Sequence, residues 1–411
     1  MRLGIIGFGE MGKRIGKDVV EVSDGGVELA GVVEPDDEKY EDGCDWNGSR
    51  PARFDSVREM LDGITPHAVA VASPNYCHLE NLNEIGKQDF PIWLEKPLDS
   101  TYEKICGVLR FAEAYPGKIL VDHCMRHSPI INKAKALLGD GAIGHICSAN
   151  FVQNCFYGNG MYHNFRRTRE GGGGMLIEKA THDFDVMMYL LESKPTQVAS
   201  IMKMQSFGGT RDNALRCRAC DEQDVCKESV GSIQARRGEE FGRDKAARED
   251  LCVYAKEIDV PDNEVCIMEF ENGCFGTYAD CYFSPSHYST REYELVGLEG
   301  IMRISLSLAE DHNLGRIVVH PRYGTRDEVQ THDFQYDGRI HYNAGPVTAA
   351  NFYAMMQGKA EPFTPVDEAF AAVTLGHAAT VAGQEKRYVE LAGIVPDDLK
   401  PGWEEIWKQP F

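Results

Sequence analysis

The chain has 411 residues, 43% of them hydrophobic and 26% charged, a balance that calls for buried cores and, at this length, for two domains. A formal net charge of −21 sets it against nucleic-acid phosphates and anionic membrane surfaces as partners. No apolar run is long enough to span a bilayer, and Met1-Arg2-Leu3-Gly4-Ile5-Ile6-Gly7 is too short and glycine-rich for a signal peptide, so a cytoplasmic protein is expected.

Taken in chain order, short apolar runs at 2–6, 27–33, 68–72, 91–94 and 118–121 alternate with helical spacing at 11–20, 56–62, 76–87 and 101–114. Near-continuous apolar strands separated by helices predict a doubly wound parallel sheet covered on both faces, over residues 1–123. From 124 to 411 the pattern changes. A helix at 129–138 and a strand at 145–153 lead to a polar loop, four glycines at 171–174 and one continuous helix over 175–191. Strands at 196–206, 264–271, 274–283, 292–297, 300–305 and 316–320 then predict an α+β domain on an open, mostly antiparallel sheet, closed by helices at 346–357 and 366–383.

The stretch 207–262 interrupts that sheet and is dense in charge, glycine and cysteine. Thirteen cysteines, an odd number with several inside apolar runs, point to reduced thiols. Within the insertion, however, Cys217-x2-Cys220-x5-Cys226 and the later Cys252 have ligand-like spacing. Four thiolates there would hold a structural zinc, stapling a segment with little apolar core of its own; free thiols are the plainer alternative.

Gly7-Phe8-Gly9-Glu10-Met11-Gly12 directly follows the first strand pattern and opens the first helix pattern, the context in which G-x-G-x-x-G marks a dinucleotide site. Gly7 permits the tight turn, Gly9 lets backbone approach a pyrophosphate, and Gly12 lets helix and strand pack closely. The phosphates then meet the unpaired N–H groups of the helix start. Glu34 ends the second apolar run, where a carboxylate accepts hydrogen bonds from ribose hydroxyls and repels a 2′-phosphate. Pro35, Asp36 and Asp37 bring no arginine, so NAD is favoured over NADP.

Ala72-Ser73-Pro74-Asn75 closes the run at 68–72, His78 follows, and Glu95-Lys96-Pro97 closes the run at 91–94. With the glycine turn and the later glycine run before His182, these residues make the chain resemble the glucose–fructose oxidoreductase and inositol dehydrogenase (Gfo/Idh/MocA) family over nearly its whole length, most strongly over 1–130 and 171–191. The resemblance implies a nicotinamide-dependent dehydrogenase or reductase acting on a sugar, inositol or related carbohydrate, assembled as a homodimer or homotetramer. It adds Ser73, Pro74, Asn75, His78, Glu95 and Lys96 to the cofactor contacts, and puts Lys96 beside the nicotinamide, where an ammonium stabilises alkoxide character. His182 becomes the general base or acid, and Glu178, four residues earlier on the same helical face, its orienting or charge-tuning partner.

Glutamate at 178, where the family usually has aspartate, and Lys179 after it are departures that leave the roles of Lys96, Lys179 and His182 open. Lys179 is also spaced to pair with Asp183. Substrate contacts are expected from Arg126, Tyr157, His163, Arg166, Lys179 and His182, with residues 282–291 as a further wall. Two other functions fit the same residues: an NAD-dependent glycosidase or lyase working through transient oxidation, and a non-catalytic dinucleotide sensor.

Overall fold

The computed structural model describes residues 1–41, 50–156, 158–236, 250–285, 288, 290–307, 314–337 and 340–406. Six parallel strands, β1 (Arg2–Ile6), β2 (Glu28–Val33), β3 (Ala52–Phe54), β4 (Ala68–Val71), β5 (Ile92–Leu94) and β6 (Ile119–Val121), form one sheet in the order β3-β2-β1-β4-β5-β6. β4 is buried at every position and β1 at all but its first, as near-continuous apolar runs require when helices cover both faces. The strand order reverses between β1 and β4, so the carboxyl ends of β1, β4, β5 and β6 open onto one crevice.

A second sheet of nine strands contains β7 (Ile146–Asn154), β8 (Pro195–Lys203), β9 (Asn263–Phe270), β10 (Phe275–Cys281), β11 (Thr290–Gly297), β12 (Gly300–Ser307), β13 (Leu314–Pro321), β14 (Gln330–Gln335) and β15 (Val389–Glu390). Its order is β14-β13-β12-β11-β7-β10-β9-β8-β15, and β7/β10 is the one parallel pairing among the described strands of this second sheet. β9 alternates buried and exposed along its length because helices Ala180–Leu191 and Val366–Glu385 pack beneath this sheet and leave its other face open.

The two sheets are tied together. Helix Ala344–Met356 lies against helix Glu10–Val22, and its Phe352 meets Trp93 of β5 edge-on at 5.4 Å, so residues from the chain's last quarter complete the core under the first sheet. Val121 N–H also donates to Thr364 O at 2.9 Å. Spacing alone did not indicate β3, β14 or β15, all short or at an edge, and the expected single helix over 175–191 is two, Met175–Glu178 and Ala180–Leu191, broken at Lys179 (φ −119°, ψ −49°). No described helix is long and apolar enough to cross a membrane.

Candidate active site

The glycine turn is fixed by sterics at two positions and free at the third. Gly7 has φ +85°, and a Cβ there would sit 2.6 Å from Ser73 Cα; at Gly12 it would come 2.1 Å from Gly7 O. At Gly9, with φ −73°, a Cβ would meet no protein atom within 4 Å. The chain itself therefore does not demand glycine at 9. A group brought close to the backbone from outside does, as a dinucleotide pyrophosphate would be at a helix start. Phe8, Glu10 and Met11 lie along this turn and the first helical turn. The Phe8 side chain is buried, and its N–H donates to Glu34 Oε2 at 2.9 Å, while Asp36 N–H donates to Glu34 Oε1 at 3.0 Å.

An arginine does stand beside Glu34, contrary to the expectation from Pro35–Asp37. It is Arg53, brought from β3 by pairing with Val32 of β2, and its guanidinium donates to Glu34 O at 2.8 Å and Pro35 O at 2.9 Å and pairs with Asp37. His78 is fully buried, its ring bridging Ser73 O (3.0 Å) and Pro97 O (2.9 Å), so it clamps the ends of β4 and β5 together.

After β5 come Glu95 and Lys96, and a cis peptide joins Lys96 to Pro97. Lys96 Nζ donates to Glu178 O at 2.6 Å and pairs with Glu178 Oε1 at 3.3 Å. The same carboxylate receives Asn75 Nδ2 at 2.6 Å and Arg166 Nε at 3.0 Å. Burial alone would raise the Glu178 pKa, but Lys96, Arg166 and Lys179 outweigh it and hold the group at about 2. Glu178 is thus a charged anchor for Lys96. Of the two roles expected for it, orienting or charge-tuning His182, the first is not met by a hydrogen bond: the helix break turns Glu178 towards β5, and neither nitrogen of His182 has a hydrogen-bond partner. Glu95 faces Arg14 Nη2 at 3.1 Å, which also pairs with Asp122. Burial and Asp122 raise the proton affinity of Glu95 against the pull of Arg14.

His182 is 1% exposed and held neutral, first by burial and then by the nearby His341, Lys96, His123 and Arg291. Its ring centroid is 5.8 Å from that of His123, at the end of β6, and 4.9 Å from that of His341. The sequence reading named neither His123 nor His341 as a site residue. Burial and Lys96 bring Lys179 down to about 7. Asp183 is held by Arg291 Nε (2.9 Å) and the Tyr293 hydroxyl. Asp185 is held by Arg126, with His123 Nδ1 at 3.4 Å.

Of the expected substrate contacts, Arg166, Lys179 and His182 converge here. Arg126 is 1% exposed, its guanidinium locked between Asp185 and Glu368. His163 lies towards the insertion, both ring nitrogens engaged by Leu251 O (2.6 Å) and Glu228 O (2.9 Å). In the 282–291 wall, Tyr282 and Arg291 are buried; Tyr157 and His287 lie outside the described residues.

The zinc expectation is corrected. Cys217, Cys220, Cys226 and Cys252 do line one small cavity together with His163, but no three His, Cys, Asp or Glu side chains among the described residues are placed to hold a metal ion. The insertion also has more apolar core than its sequence indicates: Phe207, Val253, Ala255, Ile258 and Val260 pack with Tyr162, Met175 and Tyr282. Asp250, paired with Arg216 and Arg218, ties its two arms.

Two family models match the chain: an oxidoreductase-family NAD-binding Rossmann fold over residues 1–123, and the C-terminal alpha/beta domain of the same family over 135–391. A putative oxidoreductase of Bacillus subtilis is 22% identical over 74% of this chain and 69% of its own length. The 2,7-anhydro-N-acetylneuraminate hydratase of Mediterraneibacter gnavus is 21% identical over 95% and 96%. Among solved structures, levoglucosan dehydrogenase in complex with NADH and levoglucosan matches with a TM-score of 0.73 at 16% identity, covering 95% of this chain and 99% of that one. Both domains being matched, the chain belongs to the Gfo/Idh/MocA oxidoreductase family.

Proposed function

We propose that the chain is an NAD-dependent dehydrogenase that moves a hydride between nicotinamide and a hydroxyl-bearing carbon of a sugar, inositol or related carbohydrate. One observation carries this reading. At the crevice where the glycine turn opens, a buried ammonium, Lys96, is anchored near a buried neutral imidazole, His182, that has no partner of its own. The turn from Gly7 to Gly12, with Ser73, Pro74 and Asn75, would hold the dinucleotide, and Glu34 would take the adenine ribose. Glu34 together with an Arg53 already engaged by Asp37 and two carbonyls favours NAD over NADP.

Bound nicotinamide supplies hydride acceptance and return. Lys96, set against the substrate hydroxyl, favours the alkoxide-like transition state. His182 takes the hydroxyl proton on a ring nitrogen during oxidation and returns it during reduction. Glu178 and Asn75 keep Lys96 in place. Assembly into a dimer or tetramer through the open face of the second sheet belongs to the same reading. There Ile201 of β8 and Val265 of β9 are exposed and paired in register, and the exposed Val152 of β7 stands in the same row across Ala279 of β10.

A second reading, transient oxidation followed by bond cleavage and return of the hydride, is favoured by the hydratase relative that aligns over nearly the whole chain. Stoichiometry separates the two. Inositols, monosaccharides and glycosides are incubated with NAD, and NADH absorbance is followed alongside released aglycone. One NADH per substrate consumed supports the dehydrogenase; cleavage without net NADH supports the second reading and removes the first.

A further inference from the structure

Three imidazoles, those of His123, His182 and His341, meet beyond the end of β6; His123 Nδ1 lies 3.4 Å from Asp185, while four of their nitrogens, His123 Nε2, both of His182 and Nδ1 of His341, are buried without a hydrogen-bond partner. Buried polar atoms in folded proteins are nearly always satisfied, and a cluster of exceptions calls for a partner outside the chain. His341 is the unexpected member, since it comes from a loop some 160 residues beyond His182.

The backbone carrying it is strained. His341 (φ 54°, ψ 36°), Tyr342 (φ 56°, ψ 46°) and Asn343 (φ 65°, ψ 21°) are three consecutive left-handed residues, none of them glycine. Histidine and asparagine tolerate positive φ better than most residues, but three such residues in succession without glycine, one of them tyrosine, have to be held by their surroundings. The surroundings hold the turn from both sides. The Tyr342 hydroxyl accepts from Arg291 Nη1 at 3.3 Å, and its ring meets Tyr336 edge-on at 5.2 Å. Asn343 immediately precedes helix Ala344–Met356, which packs against the first helix of the dinucleotide domain. Strain that is over-determined in this way marks functional positions.

We propose that His341 is a substrate-binding residue that holds a hydroxyl next to the reacting one, opposite His182, and that the ligand is a neutral polyol. This rests on the dehydrogenase reading for the identity of the reacting hydroxyl. The charge pattern selects neutrality. Arg14 faces Asp122 and Glu95, Arg291 faces Asp183, Arg126 faces Asp185 and Glu368, and Arg166 and Lys96 share Glu178. A carboxylate or phosphate substrate would have to compete with these carboxylates for their cations, and Lys179, brought down to about 7 by burial and Lys96, offers only a weak counter-charge at neutral pH. The imidazoles of His182 and His341, held neutral by burial, can each donate at one nitrogen and accept at the other, which matches the paired donor and acceptor character of adjacent hydroxyls.

The test is calorimetric binding of myo-inositol, D-glucose and levoglucosan to the full-length, NADH-loaded protein, with His341→Gly and His341→Asn beside it. His341→Gly relieves the left-handed strain, so its Tm should stay level or rise while polyol affinity falls tenfold or more. His341→Asn, which tolerates positive φ and keeps a donor and an acceptor, should recover part of the affinity. Unchanged affinity in His341→Gly overturns the proposal, as does a wild-type protein that binds none of the three polyols. NADH formation is read separately: affinity lost in His341→Gly, with no NADH formed by wild type, keeps this subsite and removes the dehydrogenase reading.

Discussion

Replacing Glu178 by glutamine keeps the shape of the side chain and removes the charge on which Lys96, Arg166 and Asn75 converge. Two routes give the cost. Breaking a buried ion pair from one side typically costs about 3–5 kcal/mol, because the remaining cations are left uncompensated. Independently, the Glu178 pKa falls from its ordinary 4.5 to about 2, and at about 1.4 kcal/mol per unit this is worth roughly 3 kcal/mol. A depressed carboxylate pKa stabilises the fold above the unfolded value and loses that contribution as pH drops through the folded one. The deficit of E178Q should therefore be full from pH 8 to pH 5 and shrink below about 4.5. At neutral pH it corresponds to a Tm lower by roughly 6–12 °C, taking each domain as the cooperative unit. Lys96 also loses its anchor, and a displaced ammonium should cost tenfold or more in kcat. Scanning calorimetry across pH and steady-state NADH formation read the two effects. A variant with wild-type Tm at pH 7 and wild-type kcat would refute the anchoring role.

Other consequences follow from the same geometry. Gly9→Ala should leave Tm unchanged, since its Cβ meets nothing, yet weaken NAD binding tenfold or more by fluorescence titration, whereas Gly7→Ala should lower Tm because its Cβ collides with Ser73. Lys179, with a folded pKa of about 7 against an ordinary 10.5, carries a burial penalty that is full below pH 7 and fades towards pH 10.5. Lys179→Met should accordingly raise Tm more at pH 6 than at pH 9, and an equal or reversed difference counts against that account. Arg126→Met, which leaves Asp185 and Glu368 facing each other, should lower stability by about 3 kcal/mol or more in urea titration. Any kcat it retains should come with an unaltered KM for the polyol.

What was legible in the sequence was what local spacing encodes. The glycine turn, the apolar runs of β1, β2 and β4, and the Glu95-Lys96-Pro97 strand end each depend on residues a few positions apart. Short edge strands such as β15, two residues long, leave no periodicity to detect. The helix break at Lys179 was hidden because the glycine run and the apolar residues on both sides read as one helical pattern, so Glu178 and His182 were placed on a common face that does not exist. Arg53 reached Glu34 through strand pairing, and His123 and His341 reached His182 through tertiary packing. No spacing rule links residues that far apart in the chain. The cysteine spacing misled for the opposite reason: it is local, and it says nothing about whether the thiols close around a common point.

The central claim is that an anchored ammonium and a neutral imidazole carry the proton chemistry of a hydride transfer. Its most direct measurement is turnover of Lys96→Ala and His182→Asn, each with NAD affinity determined in parallel. Both variants should lose NADH formation by a thousandfold or so (about 4 kcal/mol of transition-state stabilisation) while binding NAD within about threefold of wild type. Undiminished turnover in either variant would contradict the account.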